Sequence, residues 1–261
     1  MSAPLLEVKG LTKAFGGIRA VDDLSFTVTP DAITGIIGPN GAGKTTVFNL
    51  VTGVYRADAG SIDFEGKSIL SIRPDQIVGA GIARTFQNIR LFNRRTCLEN
   101  VLTPMLQKAP YSVPSALLQT PRVRKLDREL RDRSRSLLAE MGLEKLADVQ
   151  ASALPYGLQR KLEIARALAM EPKLLLLDEP SSGMDSTETG RFIEIVRMCR
   201  EIFGLTVLYV EHDMEMVARL SDTVNVLDFG RLIAKGTPSE VYANGDVIRA
   251  YLGEAEGEQD K

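Results

Sequence analysis

The stretch from Ala32 to Gly53 reads AITGIIGPNGAGKTTVFNLVTG, and it changes character twice. An apolar run suited to a strand ends at Ile37, a cluster of glycines follows, and from Lys44 the spacing returns to that of a helix. Within it, GPNGAGKT from Gly38 to Thr45 fits G-x-x-x-x-G-K-[ST]. Glycines at these positions let backbone N–H groups curl inward around phosphate oxygens, while the helix that follows turns its positive end to the same point. Lys44 is then placed to neutralise β- and γ-phosphates, and the Thr45 hydroxyl to ligate Mg²⁺. The alternative, a glycine-rich turn with no ligand, is disfavoured by the strand before it and the helix after it.

On either side of this stretch the chain divides into three regions. Leu6 and Val8 alternate, Leu24, Phe26 and Val28 alternate again, and Ser61 to Phe64 follows a turn-like DAG, so residues from Leu5 to about Gly66 read as β-rich with one interruption. From about Asn88 to Ala169 the pattern is helical, most clearly over Arg128 to Met141, with PYSVPSALLQTP as a proline-marked loop. From Lys173 strand patterns (LLLLDE, LTVLYVEH, TVNVLDFGRLI) alternate with helical ones (ETGRFIEIVRMCREIF, MEMVARL), as in a parallel α/β core.

The four leucines Leu174 to Leu177 end abruptly in Asp178 and Glu179. Charged groups are rarely buried without a partner, so a cation is expected there. An acid at the end of an apolar strand beside a phosphate loop can hold Mg²⁺, which assigns Asp178 to the metal. Glu179, one residue beyond the strand, can polarise a water aimed at the γ-phosphate. The competing reading is that both acids cap a turn beginning at Pro180. The chain's one histidine, His212, directly follows LTVLYVE, where a neutral imidazole can hydrogen-bond the γ-phosphate and the attacking water.

Composition sets the bounds. The chain has 261 residues, 44% hydrophobic and 25% charged, ordinary values for a globular protein with a sizeable core. A net charge of -2 gives no bulk attraction to nucleic acid or anionic lipid, so such a partner must be met by a local patch. Cys97 and Cys199 form neither a disulfide framework nor a zinc spacing and read as reduced thiols. The N-terminus lacks a signal-peptide pattern and no apolar run approaches the length of a membrane span, so a chain that neither is exported nor crosses a membrane by itself is expected.

Taken together these residues resemble the ATP-binding subunits of ABC transporters. The Walker A loop is GPNGAGKTT, the Q-loop is similar to RTFQN with Gln87, the signature region to LPYGLQRKLEIARAL, Walker B to LLLLDEP, the D-loop to SSGMD with Asp185, and the switch to EHD with His212. The resemblance implies ATP and Mg²⁺ as cofactors, Glu179, His212 and Lys44 as catalytic residues, and Gly38, Pro39, Asn40, Gly41, Ala42, Gly43, Lys44, Thr45, Thr46, Gln87 and Asp178 as nucleotide-site residues. It places Thr45, Gln87 and Asp178 at the metal, Asp178 mainly through water. Phe15, in KAFGG, sits where the family places an aromatic on adenine; a core phenylalanine at a strand end fits its sequence nearly as well.

A narrower resemblance, to the ATPases of branched-chain amino-acid importers, rests on the Tyr-Gly within the signature, RTFQNIRLF, the insertion near LLQTPRVRKLDREL, EHDMEMV, and the ending GTPSEVYANGDVIRAYLGEA. It implies membrane permease subunits, a second ATPase subunit and, indirectly, a periplasmic solute-binding protein as partners, no nucleic acid, and a peripheral place on the cytoplasmic side of a bacterial inner membrane. Importers of urea or amides, the lipopolysaccharide-export ATPase and a soluble non-transport ABC ATPase are the alternatives.

One departure stands out. Where the family signature begins Leu-Ser-Gly-Gly-Gln, this chain has Leu154, Pro155, Tyr156, Gly157 and Leu158, so a serine hydroxyl and a glycine are lost. The following helix has Leu158, Leu162, Ala165 and Ala169 on an apolar face and Arg160, Lys161, Glu163 and Arg166 on others. A partner with an intact signature, hence a heterodimer, is expected. Ile89, Leu91 and Phe92 are expected to line a groove for a helix of the membrane subunit. The expected fold is α/β: a P-loop core, an antiparallel β subdomain near the N-terminus and a helical subdomain over about 88–168. Residues 1–252 would form a single ABC ATPase domain and 253–261 a flexible acidic tail.

Overall fold

The structure is a computed structural model, which describes residues 3–85, 87–107, 115, 118 and 120–257. The chain forms two compact units: Met1–Gln87 with Lys173–Lys261, and Asn88–Pro172.

The first unit holds two sheets. Strands β1 (Leu6–Phe15), β2 (Ile18–Val28), β4 (Ala59–Phe64) and β5 (Lys67–Ser68) form an antiparallel sheet in the order β2-β1-β4-β5. Phe15 pairs with Ile18 across a two-residue turn at Gly16 and Gly17, whose φ values of 53° and 94° give the turn a twist that suits a hairpin. Leu6, Val8, Leu11, Val21, Leu24 and Val28 bury one face of this sheet.

The second sheet joins β3 (Ile33–Ile37), β6 (Ile82–Arg84), β7 (Leu174–Asp178), β8 (Thr206–Val210), β9 (Thr223–Asp228) and β10 (Arg231–Gly236) in the order β10-β9-β3-β8-β7-β6. All neighbours are parallel except the β9–β10 pair. Every residue of β3, β7 and β8 is buried, the pattern of a parallel sheet covered on both faces. The helices of this unit are α1 (Lys44–Val51), α2 (Pro74–Ala80), α6 (Ser186–Phe203), α7 (Met214–Leu220), α8 (Pro238–Tyr242) and α9 (Gly245–Gly257). Because β3, β8, β7 and β6 are parallel neighbours, the segments leaving their C-terminal ends emerge in that order along one edge. These are GPNGAGKT, EHD, EP and the segment that carries Thr85 and Gln87.

The second unit contains α3 (Cys97–Gln107), α4 (Pro121–Glu140) and α5 (Tyr156–Leu168). Val101 and Met105 of α3, Val123 and Leu138 of α4, and Leu162 and Ala165 of α5 are buried between packed helices.

Several boundaries differ from those read in the sequence. TVNVLDFGRLI is a hairpin, β9 and β10, and not one strand: Phe229 and Gly230 adopt φ of 41° and 80° and turn the chain between paired Asp228 and Arg231. Helix α4 starts seven residues before Arg128, because Pro121 occupies its first turn, where a missing N–H costs nothing, and Thr120 caps it. Only Ser115, Leu118, Thr120 and Pro121 of the proline-marked loop are among the described residues. The second unit reaches Pro172 rather than Leu168. Helix α9 runs to Gly257, through the first residues of the stretch read as a flexible tail; residues 258–261 lie outside the described ones. Among the described residues no helix is long and apolar enough to cross a membrane.

Candidate nucleotide site

Two glycines of the loop between β3 and α1 have no room for a side chain. A Cβ on Gly38, where φ is 151°, would lie 2.0 Å from the Leu227 carbonyl oxygen, and one on Gly43, φ 96°, would lie 2.2 Å from that of Ala20. The loop is thus wedged between β2 and the β9–β10 turn, whose Gly230 N–H donates to Ala42 O at 3.0 Å. Gly43 is the N-cap of α1 and brings no side-chain acceptor, so the first-turn N–H groups keep their capacity for an anion. Lys44 is buried and its ammonium donates to Gly38 O at 2.6 Å and Pro39 O at 2.7 Å, which holds the loop closed round the charge. Asn40 and Thr45 are exposed.

Asp178 ends β7, buried, and the cation beside it is Arg84. A guanidinium nitrogen donates to Asp178 Oδ2 at 2.6 Å, with both side chains under a tenth exposed. Arg84 also donates to Asn49 Oδ1 at 2.8 Å and Thr52 Oγ1 at 3.1 Å at the end of α1, and lies over the Phe48 ring at 5.6 Å. A cation is expected beside Asp178, and at Oδ2 the protein supplies one of its own. Breaking such a buried pair leaves an uncompensated charge, at a cost of about 3–5 kcal/mol.

Glu179 stands one residue past the strand in a left-handed conformation, φ 43°, with its N–H donating to Val210 O at 3.0 Å. Gln87 Nε2 donates to its carboxylate at 2.7 Å, so two residues 92 positions apart meet at the strand end. The rival reading, in which both acids merely cap a turn, does not describe these contacts: one acid is ion-paired and the other is joined to Gln87.

His212 follows β8 with its imidazole 58% exposed. Beneath it Glu211 is fully buried and accepts from Ser181 N–H at 2.8 Å, Ser181 Oγ at 2.6 Å and the His212 N–H at 2.9 Å. One carboxylate therefore ties the segment after Glu179 to the segment that carries the histidine. Asp213 caps α7, accepting from the Glu215 and Met216 N–H groups. Tyr242 donates its hydroxyl to Met214 O at 2.7 Å, and burial together with the nearby Asp213 carboxylate pushes the phenol up to about 12. Asp185 caps α6 in a reciprocal pair with Glu188.

Phe15 is 42% exposed and so is not a core residue; its ring meets Tyr55 edge-on, centroids 5.1 Å apart, with Lys13 Nζ 5.4 Å from its centre. In the second unit, Pro155 is the N-cap of α5 with no side-chain cap, and Tyr156 opens the helix, its hydroxyl 3.1 Å from Arg160. Arg160 and Glu163 do not lie on polar faces as expected: they form a buried pair at 3.0 Å. Leu91 is buried, Ile89 half-buried and Phe92 48% exposed under Arg166, so only part of the expected groove reaches the surface.

Sequence reasoning passed over Arg84, Glu211, Tyr55 and Tyr242. The rule that singled out Asp178, an acid at the end of an apolar strand, applies equally to Glu211 after LTVLYV and would have found it. Arg84 ends the strand IAR beside β7, the place to look for the partner of a buried acid.

A family model described as ABC transporter matches residues 21–182, and another, described as branched-chain amino acid ATP-binding cassette transporter, matches residues 231–257. The chain is similar to the high-affinity branched-chain amino acid transport ATP-binding protein LivG of Escherichia coli (strain K12), 44% identical over 255 residues that cover 98% of this chain and 100% of that one. It is 42% identical to the corresponding protein BraF of Pseudomonas aeruginosa, with the same coverage. A solved ATP-binding cassette of an ABC transporter in its ADP conformation matches with a TM-score of 0.84 at 31% identity, covering 97% of this chain and 100% of that one.

Proposed function

This chain belongs to the ABC transporter family as an ATP-binding subunit, and from that premise we propose that it hydrolyses ATP to energise import of branched-chain amino acids or closely related solutes. The observation that carries the reading is the single edge at which four parallel strands deliver the Lys44 loop, His212, Asp178 with Glu179, and Gln87. In this reading Lys44 and the α1 N-terminus bind the phosphates, Thr46 extends that cradle, and Phe15 packs on the adenine. Glu179, oriented by Gln87, takes the proton of the attacking water as general base, and His212 hydrogen-bonds the γ-phosphate.

Thr45 Oγ1, the Gln87 carbonyl oxygen and the Asp178 carboxylate make a set of hard oxygen donors, which fits Mg²⁺. When bound, that ion would neutralise charge on the phosphates. Arg84 holds Asp178 Oδ2 and so fixes the orientation of the other carboxylate oxygen.

The finer proposal concerns partners: permease subunits that take up the movement of the ATPase pair, a periplasmic solute-binding protein upstream of them, and a peripheral position on the cytoplasmic face. The ATPase pair closes head to tail, each nucleotide meeting the other chain's signature. The missing side-chain cap at Pro155 favours a non-identical partner with an intact signature.

The deciding experiment is Glu179→Gln. It should keep ATP binding and lose turnover by about 10²–10⁴-fold, the range of a general base. Near-normal hydrolysis would overturn the assignment, and uptake of radiolabelled leucine by the reconstituted complex tests the solute.

A further inference from the structure

The charges of α4 are not spread evenly round the helix. Arg124, Arg128, Arg131 and Arg135 recur at i, i+4, i+7 and i+11, which confines them to about 60° of arc and extends them over about 16 Å. All four are exposed. The buried face, through Val123, Ser134, Leu137 and Leu138, borders the stripe on the Arg131 side, with Ser134 Oγ 3.4 Å from Met105 Sδ of α3. The exposed acids of the helix, Glu129, Asp132 and Glu140, lie to one side of the stripe and the half-exposed Asp127 to the other, none within it; Glu99 of α3 lies near enough to Arg131 to feel its charge. Arg124, Arg128 and Arg131 form no salt bridge with any described residue, and Arg135 reaches Asp148 at 3.6 Å across exposed positions. The stripe is opposite in sign to the chain, whose net charge is -2. Two residues before the cap Thr120, Leu118 is 77% exposed.

We propose that this stripe docks on anionic phosphate headgroups of a lipid surface, an inference that rests on the reading of the chain as a subunit of a membrane transporter. Guanidinium groups match phosphate oxygens with paired donors. A row of them is the chemistry of a segment that lies on a membrane surface, where the charges meet headgroups. A single-stranded nucleic acid would call for aromatic platforms between the charges, and α4 carries no aromatic residue. The stripe would hold the second unit to the bilayer independently of the permease contact.

The test is co-sedimentation of the whole chain with vesicles of phosphatidylglycerol and phosphatidylcholine, against vesicles of phosphatidylcholine alone. Binding is expected only to the anionic vesicles, weakening as salt shortens the screening length. Each arginine near such a surface contributes about fivefold, so the triple variant R124Q/R128Q/R131Q should bind on the order of a hundredfold more weakly. A variant of equal net charge, K9Q/K67Q/R73Q, with substitutions on exposed positions of the first unit, should bind as the parent does. Equal binding to both vesicle types, equal loss in both variants, or tighter binding to single-stranded DNA than to anionic vesicles would overturn the proposal. Binding of a non-hydrolysable ATP analogue is measured on the same samples. Absent nucleotide binding with vesicle binding intact would count against the ATPase-subunit reading and leave the stripe standing.

Discussion

Helices α1 and α5 begin at the two segments proposed to meet phosphate, yet they are built differently. At α1 the chain enters through Gly38 and Gly43, whose Cβ positions are filled by neighbouring backbone, and Lys44 is buried against its own loop. At α5 it enters through Pro155 in an extended conformation, with Pro155 and Tyr156 both exposed; Gln159 donates to Leu154 O at 2.8 Å and Arg160 to the Tyr156 hydroxyl at 3.1 Å. In the first case packing against backbone leaves glycine as the one choice at Gly38 and Gly43. In the second, an exposed turn leaves the backbone dipole in place while the side chains vary. The chain therefore keeps its Walker A loop intact and departs from the family at its signature.

The largest expected effect is at Gly38. Gly38→Ala places a methyl group 2.0 Å from the Leu227 carbonyl, a backbone atom of β9 that cannot step aside without moving the hairpin. A loss of about 4 kcal/mol or more in nucleotide affinity, roughly 10³-fold, should follow. Gly41 is the internal control: its φ of 80° strains alanine, but a Cβ there meets nothing within 4 Å. Gly41→Ala should cost only about 1–2 kcal/mol, the penalty of a left-handed residue. Calorimetric titration of both variants with a non-hydrolysable ATP analogue decides the matter. Equal losses would show that conformation, not packing, makes this loop.

The same contrast explains what could be read in the sequence. The Walker A loop, the four-leucine strand and the acids at its end were visible because each needs particular residues at fixed spacing. Other features depend on a neighbour distant in sequence. Asp178 visibly needs a cation, but nothing local says that Arg84, 94 positions away, holds one of its carboxylate oxygens. Arg160 and Glu163 look solvated on a helical wheel, yet they are buried as a mutual pair. The turn at Phe229 escaped notice because a bulky residue with positive φ carries no turn signal of its own.

An intermediate effect is expected at the signature. If the missing serine weakens the site that this helix completes on a partner chain, Pro155→Ser should restore a hydrogen bond to a charged phosphate, worth about 1.5–3 kcal/mol, or 10- to 100-fold in closure. The gain should appear when two copies of this chain act together, and be small when a partner with an intact signature is present. Single-turnover hydrolysis by the subunit alone and by the mixed pair measures both. High activity from the unmodified chain alone would show that Tyr-Gly serves as it stands, and the asymmetry would fall.

The smallest effect tests a third helix start, that of α7, which immediately follows His212. Unlike α1 it is closed by side chains: Asp213 caps it, and Tyr242, from the segment that matches the branched-chain transporter model, donates to Met214 O. Tyr242→Phe removes one hydrogen bond and nothing else, so about 0.5–1.5 kcal/mol of stability should go, lowering the melting temperature by roughly 2–6 °C. The phenol donates only while protonated. Its folded pKa, about 12, lies above the unfolded value near 10, so its contribution is fully present below about pH 10 and fades as the pH rises through 12. The difference between parent and variant should thus be flat from pH 6 to 9. If the contact also steadies the histidine, turnover should fall a few-fold with ATP affinity unchanged. That loss should vanish in a His212→Ala background, where there is no imidazole left to place. A loss of turnover that persists there would mean that Tyr242 supports the fold of the C-terminal segment and has no part in the switch.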